Sequence, residues 1–175
     1  MNKDELIERY KAGERNFIGA YLTNVNLDEA DLRGANLSDA NLEGAHLHGA
    51  YLGKSNLTGA NLRDASLDGV YLSDANLRGA DLRLASLTRA FLPGADLTGA
   101  NLNEANLDGA NLDEAYLCEA DLRGAKLRGA NLEGSDLSGA NLSGADLAGA
   151  RVTAAQLAEV SNLDGATMPD GTWHG

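Results

Sequence analysis

Leucine stands at every fifth position from Leu22 to Leu147, in an unbroken series of 26 residues. Phe17 precedes the series in the same phase, and Val152 and Leu157 follow it in phase. A small residue, usually alanine, lies two positions before nearly all of these residues. The repeated unit is therefore Ala-(Asn/Asp)-Leu-X-X, and the chain must bury one leucine and one small side chain every five residues.

A period of five excludes the common secondary structures. In an α-helix, leucines at this spacing would spread around the whole cylinder, because a turn takes 3.6 residues. In a straight strand, successive leucines would point to opposite faces. The pattern instead predicts a backbone that turns once per repeat, with leucine and alanine facing a common axis. Glycine often fills the fifth position, as at Gly34 and Gly69, and suits such a corner.

This pattern resembles the pentapeptide-repeat family over residues 16–157. The resemblance implies an all-β solenoid, a right-handed quadrilateral β-helix with four repeats in each coil. It also implies about seven coils and a rod ~34 Å long, at ~4.8 Å between strands. We expect a single domain over residues 1–175, with an N-terminal helical cap at 1–13 and a C-terminal cap and tail at 153–175.

A solenoid exposes its core at both ends and needs caps. At the N-terminus, we predict a short helix over residues 2–12 with Asn2 as its N-cap. Leu6, Ile7 and Tyr10 would lie on one face of this helix and cover the first coil.

Near the C-terminus, Thr153 and Gln156 have the spacing of a capping box that opens a short helix. We predict that this helix extends to about Ser161. The step from Leu157 to Leu163 is six residues instead of five, so the repeat resumes out of phase. This slip predicts a last partial coil after the helix.

The single tryptophan, Trp173, lies beyond the repeat and after a predicted turn at Pro169, Asp170 and Gly171. The sequence leaves three placements open. The indole could pack onto the end of the rod, belong to a disordered tail, or help to form an end-to-end homodimer.

Residues 20 positions apart stack in columns along such a rod, so the surface can be mapped from the numbering. One column carries Tyr51, Tyr71 and Phe91, whose rings would stack ~4.8 Å apart. Two interpretations stay open. The rings either stabilise adjacent coils or form an exposed strip for a partner or second subunit.

The chain has 14 basic and 26 acidic residues, for a net charge of −12. Such a surface repels nucleic acid and anionic lipid and favours basic partners. The most acidic face of the rod carries Asp39, Asp96, Glu119, Asp136 and Glu159. Arg78 is the only basic residue on that face. These acids serve either as a solvated surface or as part of a partner-binding surface.

The sequence indicates no enzyme, no cofactor and no metal site. No nucleophile has an evident base, and no phosphate-binding loop occurs. His46 and His48 point outward across a leucine, with Asp28 and Asp68 in the column of His48, but a metal site needs three or four convergent ligands. Acidic neighbours are expected to raise the pKa of Cys118, the only cysteine.

The N-terminus lacks a signal-peptide pattern and no stretch is long enough to span a membrane, so we expect a cytoplasmic protein. The leading hypothesis is a structural or protein-interaction scaffold whose partner is an unidentified protein. The alternative is a DNA mimic, because some members of the family protect or inhibit a type II topoisomerase such as DNA gyrase as acidic dimers. Those members often have phenylalanine at the central position and some carry loops. Here the centres from Leu22 to Leu147 are all leucine, with no insertion.

Overall fold

The backbone turns once in every repeat and returns to the same side of the rod after four repeats. The computed structural model describes residues 1–175. In it, single-residue parallel β-bridges join positions 20 residues apart, from the pair Asn16 and Asn36 to the pair Asn131 and Arg151. Four bridging positions fall in each such interval, so the chain winds into a four-sided coil.

Two kinds of backbone hydrogen bond build each coil. Within a repeat, the N–H of Ala20 donates to the carbonyl of Phe17 at 3.1 Å and closes a β-turn. Between coils, the N–H of Leu22 donates to the carbonyl of Asn41 at 2.7 Å, and the N–H of Asn41 donates to Ala20 at 2.9 Å. The same set recurs along the rod, and it satisfies the backbone without long strands.

The core is made of the predicted leucine and alanine positions. Every leucine at the centre of a repeat, from Leu22 to Leu147 in steps of five, is at most 2% exposed, and Phe17 is equally buried. The small residues beside them fill the space that the leucines leave, which is the close packing expected of a protein interior. The repeat therefore encodes the interior, and only the other three positions of each repeat vary freely at the surface.

Each corner of the rod requires a left-handed backbone. Every fifth residue from Gly19 to Gly149 has φ between 53° and 70°, as a type II turn demands at its third residue. Glycine adopts this conformation at no steric cost, whereas other residues meet a clash worth about 1–2 kcal/mol. Eleven of these corners are not glycine, and most are Asp, Asn or Glu. Leu84 is the apolar one, with φ of 60° and an exposed side chain.

Helix α1 spans Lys3–Lys11, and the Asn2 side chain accepts the N–H of Glu5 at 2.9 Å, as expected of an N-cap. Leu6 is fully buried and joins the same core cluster as the leucines of the repeats. Tyr10 packs beside it and donates its hydroxyl to the carbonyl of Arg33 at 2.8 Å. The helix is therefore attached to the rod by both apolar and polar contacts.

Helix α2 spans Ala154–Ala158 and begins with the predicted capping box between Thr153 and Gln156. The Gln156 amide also donates to the carbonyls of Leu132 and Ser135 in the preceding coil. The helix is shorter than predicted, since it does not reach Ser161.

The reason is that the chain resumes the coil at this point. The N–H of Ser161 donates to the carbonyl of Ala140 at 2.8 Å, and Asn162 forms a bridge with Asn141. That bridge joins residues 21 positions apart, which places the predicted one-residue slip just after α2.

Strands β1, Ala166–Thr167, and β2, Trp173–His174, form an antiparallel pair at the C-terminal end. β1 also bridges Asp146 in parallel, so β2 lies beyond the last coil. Trp173 is 73% exposed. Packing of the indole onto the rod was therefore the wrong placement, because pairing with Thr167 fixes the backbone while the ring extends into solvent.

The left-handed corner at Leu84 generates a stability prediction. We expect Leu84→Gly to raise the free energy of unfolding by about 0.5–1 kcal/mol, since relief of the clash exceeds the added entropy of the unfolded chain. Gly79→Ala, at an equivalent corner with φ of 63°, should lower it by about 1 kcal/mol. Denaturant midpoints measure both variants. A Leu84→Gly protein less stable than the parent would contradict this account of the corners.

Candidate functional site

Three aromatic rings form a continuous exposed strip on one face of the rod. Tyr51 and Tyr71 stack in parallel with centroids 4.9 Å apart, and Phe91 meets Tyr71 edge-on at 6.3 Å. The three side chains are 43%, 44% and 40% exposed. We call these residues the aromatic ladder. The sequence placed them in one column, and the structure brings all three together.

The ladder replaces residues that elsewhere stabilise the turns. At most bridging positions an Asn or Asp accepts the N–H two residues later, as Asn36 does for Ser38 at 3.2 Å. An aromatic ring cannot supply this acceptor. The third ring is followed by Pro93, which has no N–H to satisfy. The ladder therefore forgoes local hydrogen bonds that the other columns make.

A groove of about 380 Å³ runs along the corner beside the ladder. Gly49 and Gly69 form its floor, because they are the corner residues of two successive coils and carry no side chain. Tyr51 and Tyr71 line one side, and the remaining lining residues are Glu29 and His48. Sequence reasoning missed this groove, although the column that holds Glu29, Gly49, Gly69 and Arg89 could have been read from the numbering.

The predicted acidic side chains do not form a single cluster. Asp96, Tyr116 and Asp136 follow one another in adjacent coils through β-bridges, and Glu119 lies at the corner of the Tyr116 repeat. Asp39 lies three coils before Asp96, about 14 Å along the rod. The structure therefore groups Asp96, Glu119 and Asp136 and separates Asp39 from them.

Two of these acids also have a structural task. Asp96 accepts the N–H of Thr98 at 3.0 Å and pairs with Arg78 at 3.2 Å. Asp136 accepts the N–H and the hydroxyl of Ser138. Hydrogen bonds from the Cys118 thiol and from Ser138 lower the pKa of Asp136. These carboxylates are turn caps as well as surface charges.

A second kind of cap was not foreseen from the sequence. In the repeats whose bridging residue is His46, Ser86 or Lys126, an aspartate of the preceding coil takes the N–H instead. Asp28 accepts the N–H of His48 at 2.9 Å, and Asp68 accepts that of Thr88 at 3.0 Å. Asp108 does the same for Arg128 at 2.9 Å. Asp28 and Asp68, which lie in the column of His48, therefore accept backbone N–H groups. Both His46 and His48 are exposed.

No group of three or more His, Cys, Asp or Glu side chains converges in a way that could hold a metal ion. Neither helix is long and apolar enough to cross a lipid bilayer, since the longer one has nine residues.

Eight overlapping matches to the model of pentapeptide repeats cover the chain from residue 16 to residue 169. The matched segments are residues 16–53, 45–83, 65–103, 80–117, 95–134, 115–153, 126–161 and 135–169. The chain belongs to the pentapeptide-repeat family. Proteins of this family fold as right-handed quadrilateral β-helices, which confirms the predicted type of solenoid.

Two solved structures of pentapeptide-repeat proteins align with most of the rod. HetL from the cyanobacterium Nostoc sp. strain PCC 7120, involved in heterocyst differentiation regulation, is 33% identical and has a TM-score of 0.55. That alignment covers 99% of this chain and 100% of HetL. A trypsin-treated variant of QnrB1, a plasmid-mediated fluoroquinolone resistance protein, is 25% identical with a TM-score of 0.65. That alignment covers 89% of this chain and 75% of the QnrB1 chain. No curated protein sequence matches.

The thiol of Cys118 in this pentapeptide-repeat protein lies beside a carboxylate. Its hydrogen bond to Asp136, together with burial, raises the pKa of Cys118 to about 11. The sequence predicted a raised pKa, but the carboxylate responsible is Asp136 of the next coil and not the adjacent Glu119.

We expect Cys118 to be alkylated by iodoacetamide at pH 8.5 at least about tenfold more slowly than glutathione, because little thiolate is present. Asp136→Asn removes the main cause and should accelerate the reaction, while its amide oxygen keeps the cap on Ser138. Glu119→Gln serves as the control and should change nothing. Equal acceleration by both substitutions would show that general surface charge, and not Asp136, controls the thiol.

Proposed function

We propose that this protein is a non-enzymatic scaffold that binds another protein through the face bearing the aromatic ladder. The observation that carries the proposal is the ladder itself: three contiguous rings, each at least 40% exposed, in three successive coils of one face. Tyrosine is enriched in protein interfaces, where buried aromatic anchors supply most of the binding energy.

The rings of the ladder replace side chains that would form hydrogen bonds with the turns, and this loss favours partner binding over stability as the reason for the ladder. An asparagine in place of Tyr51 or Tyr71 would add a side-chain hydrogen bond to its turn, as it does at Asn111 of the same column. Ring stacking contributes about 0.5–1.5 kcal/mol per pair, which is similar to the net value of one hydrogen bond. The ladder therefore brings no clear stability advantage over asparagine.

The ladder is too short to form a whole interface. Two coil spacings amount to about 10 Å, whereas a stable interface buries about 800 Å² on each partner. We propose that it anchors a larger contact surface, to which the acids Asp96, Glu119 and Asp136 of the next face contribute charge. Asp39 lies apart from that set and contributes to it only if the partner covers most of the rod.

We further propose that residues 1–175 act as one rigid domain of about seven coils. In this proposal, α1 covers the first coil through the buried Leu6, and residues 153–175 cover the last through α2 and the β1–β2 pair. The exposed Trp173 and the apolar groove beside it, lined by Val152, Leu157 and Met168, are the surface on which an end-to-end homodimer would form.

Substitution by asparagine tests the role of the ladder. We expect Tyr71→Asn to lower the free energy of unfolding by at most about 2 kcal/mol, because the new turn cap partly offsets the loss of the ring contacts with Tyr51 and Phe91. The same variant, immobilised and exposed to a lysate of the host, should lose the proteins that the parent captures. Tyr21→Asn is the control, since Tyr21 occupies the same repeat position and is 67% exposed but lies on a face outside the proposed contact surface. Marked destabilisation of Tyr71→Asn with unchanged capture would assign the ladder to stability alone.

A second candidate function is mimicry of DNA. Two observations favour it: the net charge of −12 on a narrow rod, and the structural similarity to QnrB1, a fluoroquinolone resistance protein. In this proposal the acidic rod, as an end-to-end dimer, occupies the DNA-binding surface of a type II topoisomerase such as DNA gyrase. The uniformly leucine-centred core, without loops, is the reason that this candidate stands second.

A supercoiling assay distinguishes the two functions. If the protein mimics DNA, micromolar concentrations should change the supercoiling activity of DNA gyrase or its inhibition by a fluoroquinolone. The effect should weaken as salt is raised, because exposed charges are screened. No effect at micromolar concentration and low salt would eliminate this candidate.

A further inference from the structure

The groove beside the ladder follows one column of corner residues. Its column holds Glu29, Gly49, Gly69 and Arg89 in successive coils. The two glycines open a space between two charged side chains. A Cβ built on Gly69 would meet no atom within 4 Å, so the groove above this residue is unfilled.

Glu29 is the only Asp, Glu, Lys or Arg side chain among the residues that line this groove. Its carboxylate forms no ion pair within the protein, although nine such pairs occur elsewhere. Lys3 and Lys11 line a neighbouring groove on the other side of Glu29, under α1, and neither reaches it within 4.0 Å. The groove therefore contains an uncompensated negative charge at one end.

The tyrosine side of the groove adds a second attraction for a cation. Tyr51, Tyr71 and Phe91 are each at least 40% exposed, and neither tyrosine hydroxyl has a hydrogen-bond partner in the protein. Aromatic rings attract guanidinium groups through their π-electrons, and phenol oxygens accept hydrogen bonds. Acceptors and rings thus lie on one side, and the Glu29 carboxylate closes one end.

We propose that this groove receives an arginine side chain of the partner protein. The guanidinium is planar, stacks on aromatic rings and binds a carboxylate through two parallel N–H donors, so it suits this set of groups better than a lysine ammonium does. A volume of about 380 Å³ admits one such side chain with its solvent. The inference rests on the proposed scaffold function and specifies the partner residue that the ladder face recognises.

The probe for the test is N-acetyl-L-arginine amide, with N-acetyl-L-citrulline amide as its uncharged analogue of the same shape. In a titration followed by amide NMR shifts, the arginine probe should shift Gly49 and Gly69 with half-saturation at millimolar concentration. The citrulline probe should not. Glu29→Gln should weaken arginine binding about fivefold. Glu104→Gln, at an equivalent exposed corner on another face, should leave it unchanged.

A pair of glycine substitutions separates the groove from effects on the backbone. Gly69 and Gly79 both have φ of 63° and open space at the Cβ position, but only Gly69 lines the groove. We expect Gly69→Asn to abolish the arginine response and Gly79→Asn to preserve it. Equal binding of citrulline, or equal loss in both glycine variants, would overturn the proposal.

These results are distinguishable from failure of the proposed function. If arginine does not bind but Tyr71→Asn still eliminates capture of the partner, the scaffold function stands and the arginine site is wrong. If arginine binds in the groove and the ladder variant captures as the parent does, the site exists but the ladder does not anchor the partner.

Discussion

The structure depends on one backbone constraint, the β-turn that closes every five residues. Its hydrogen bond from the small residue to the preceding central residue, and the left-handed corner between them, turn the chain by about a quarter of a coil. Once this turn repeats without interruption, the leucines must meet on the axis and the bridging residues must stack 20 positions apart. The interior is then fixed by the repeat, and the surface is left free to vary.

This division explains why the surface carries the information about function. Most bridging positions hold Asn or Asp, which satisfy the turn locally, and several aspartates perform the same task for the next coil. The acidic character is therefore partly structural. The ladder is different because its rings supply no acceptor, and the groove beside Tyr51 and Tyr71 exists because two corners are glycine. These departures from the local rule mark the face that we assign to partner binding.

Much of the fold could be predicted because a period of five leaves one solution. The register from Phe17 to Leu157, the slip that follows it and the ladder column all follow from counting. The end of α2 did not, because it depends on where the Ser161 N–H regains a partner in the previous coil. The placement of Trp173 depends on the β1–β2 pairing, which two-residue strands do not reveal in sequence.

The candidate site was predicted only in part for a related reason. Counting gives the column of a residue but not the direction in which its side chain leans. Asp136 acts on Cys118 from the next coil, and Glu29 leans toward the corner at Gly49, so both contacts cross between coils. Proximity within one repeat therefore points to Glu119 as the acid that affects Cys118, whereas the acid that does so is Asp136.

The assignment of every surface residue to a column depends on the coil length and rise, and these can be measured in solution. Spin labels at Ser38 and Ser138, introduced in a Cys118→Ser background, lie on one face five coils apart. Double electron–electron resonance should give a single narrow distribution centred at about 24 Å, five times the spacing between strands. A broad distribution, or a centre well outside this value, would show that residues 20 apart do not stack, and the ladder and groove would lose their basis.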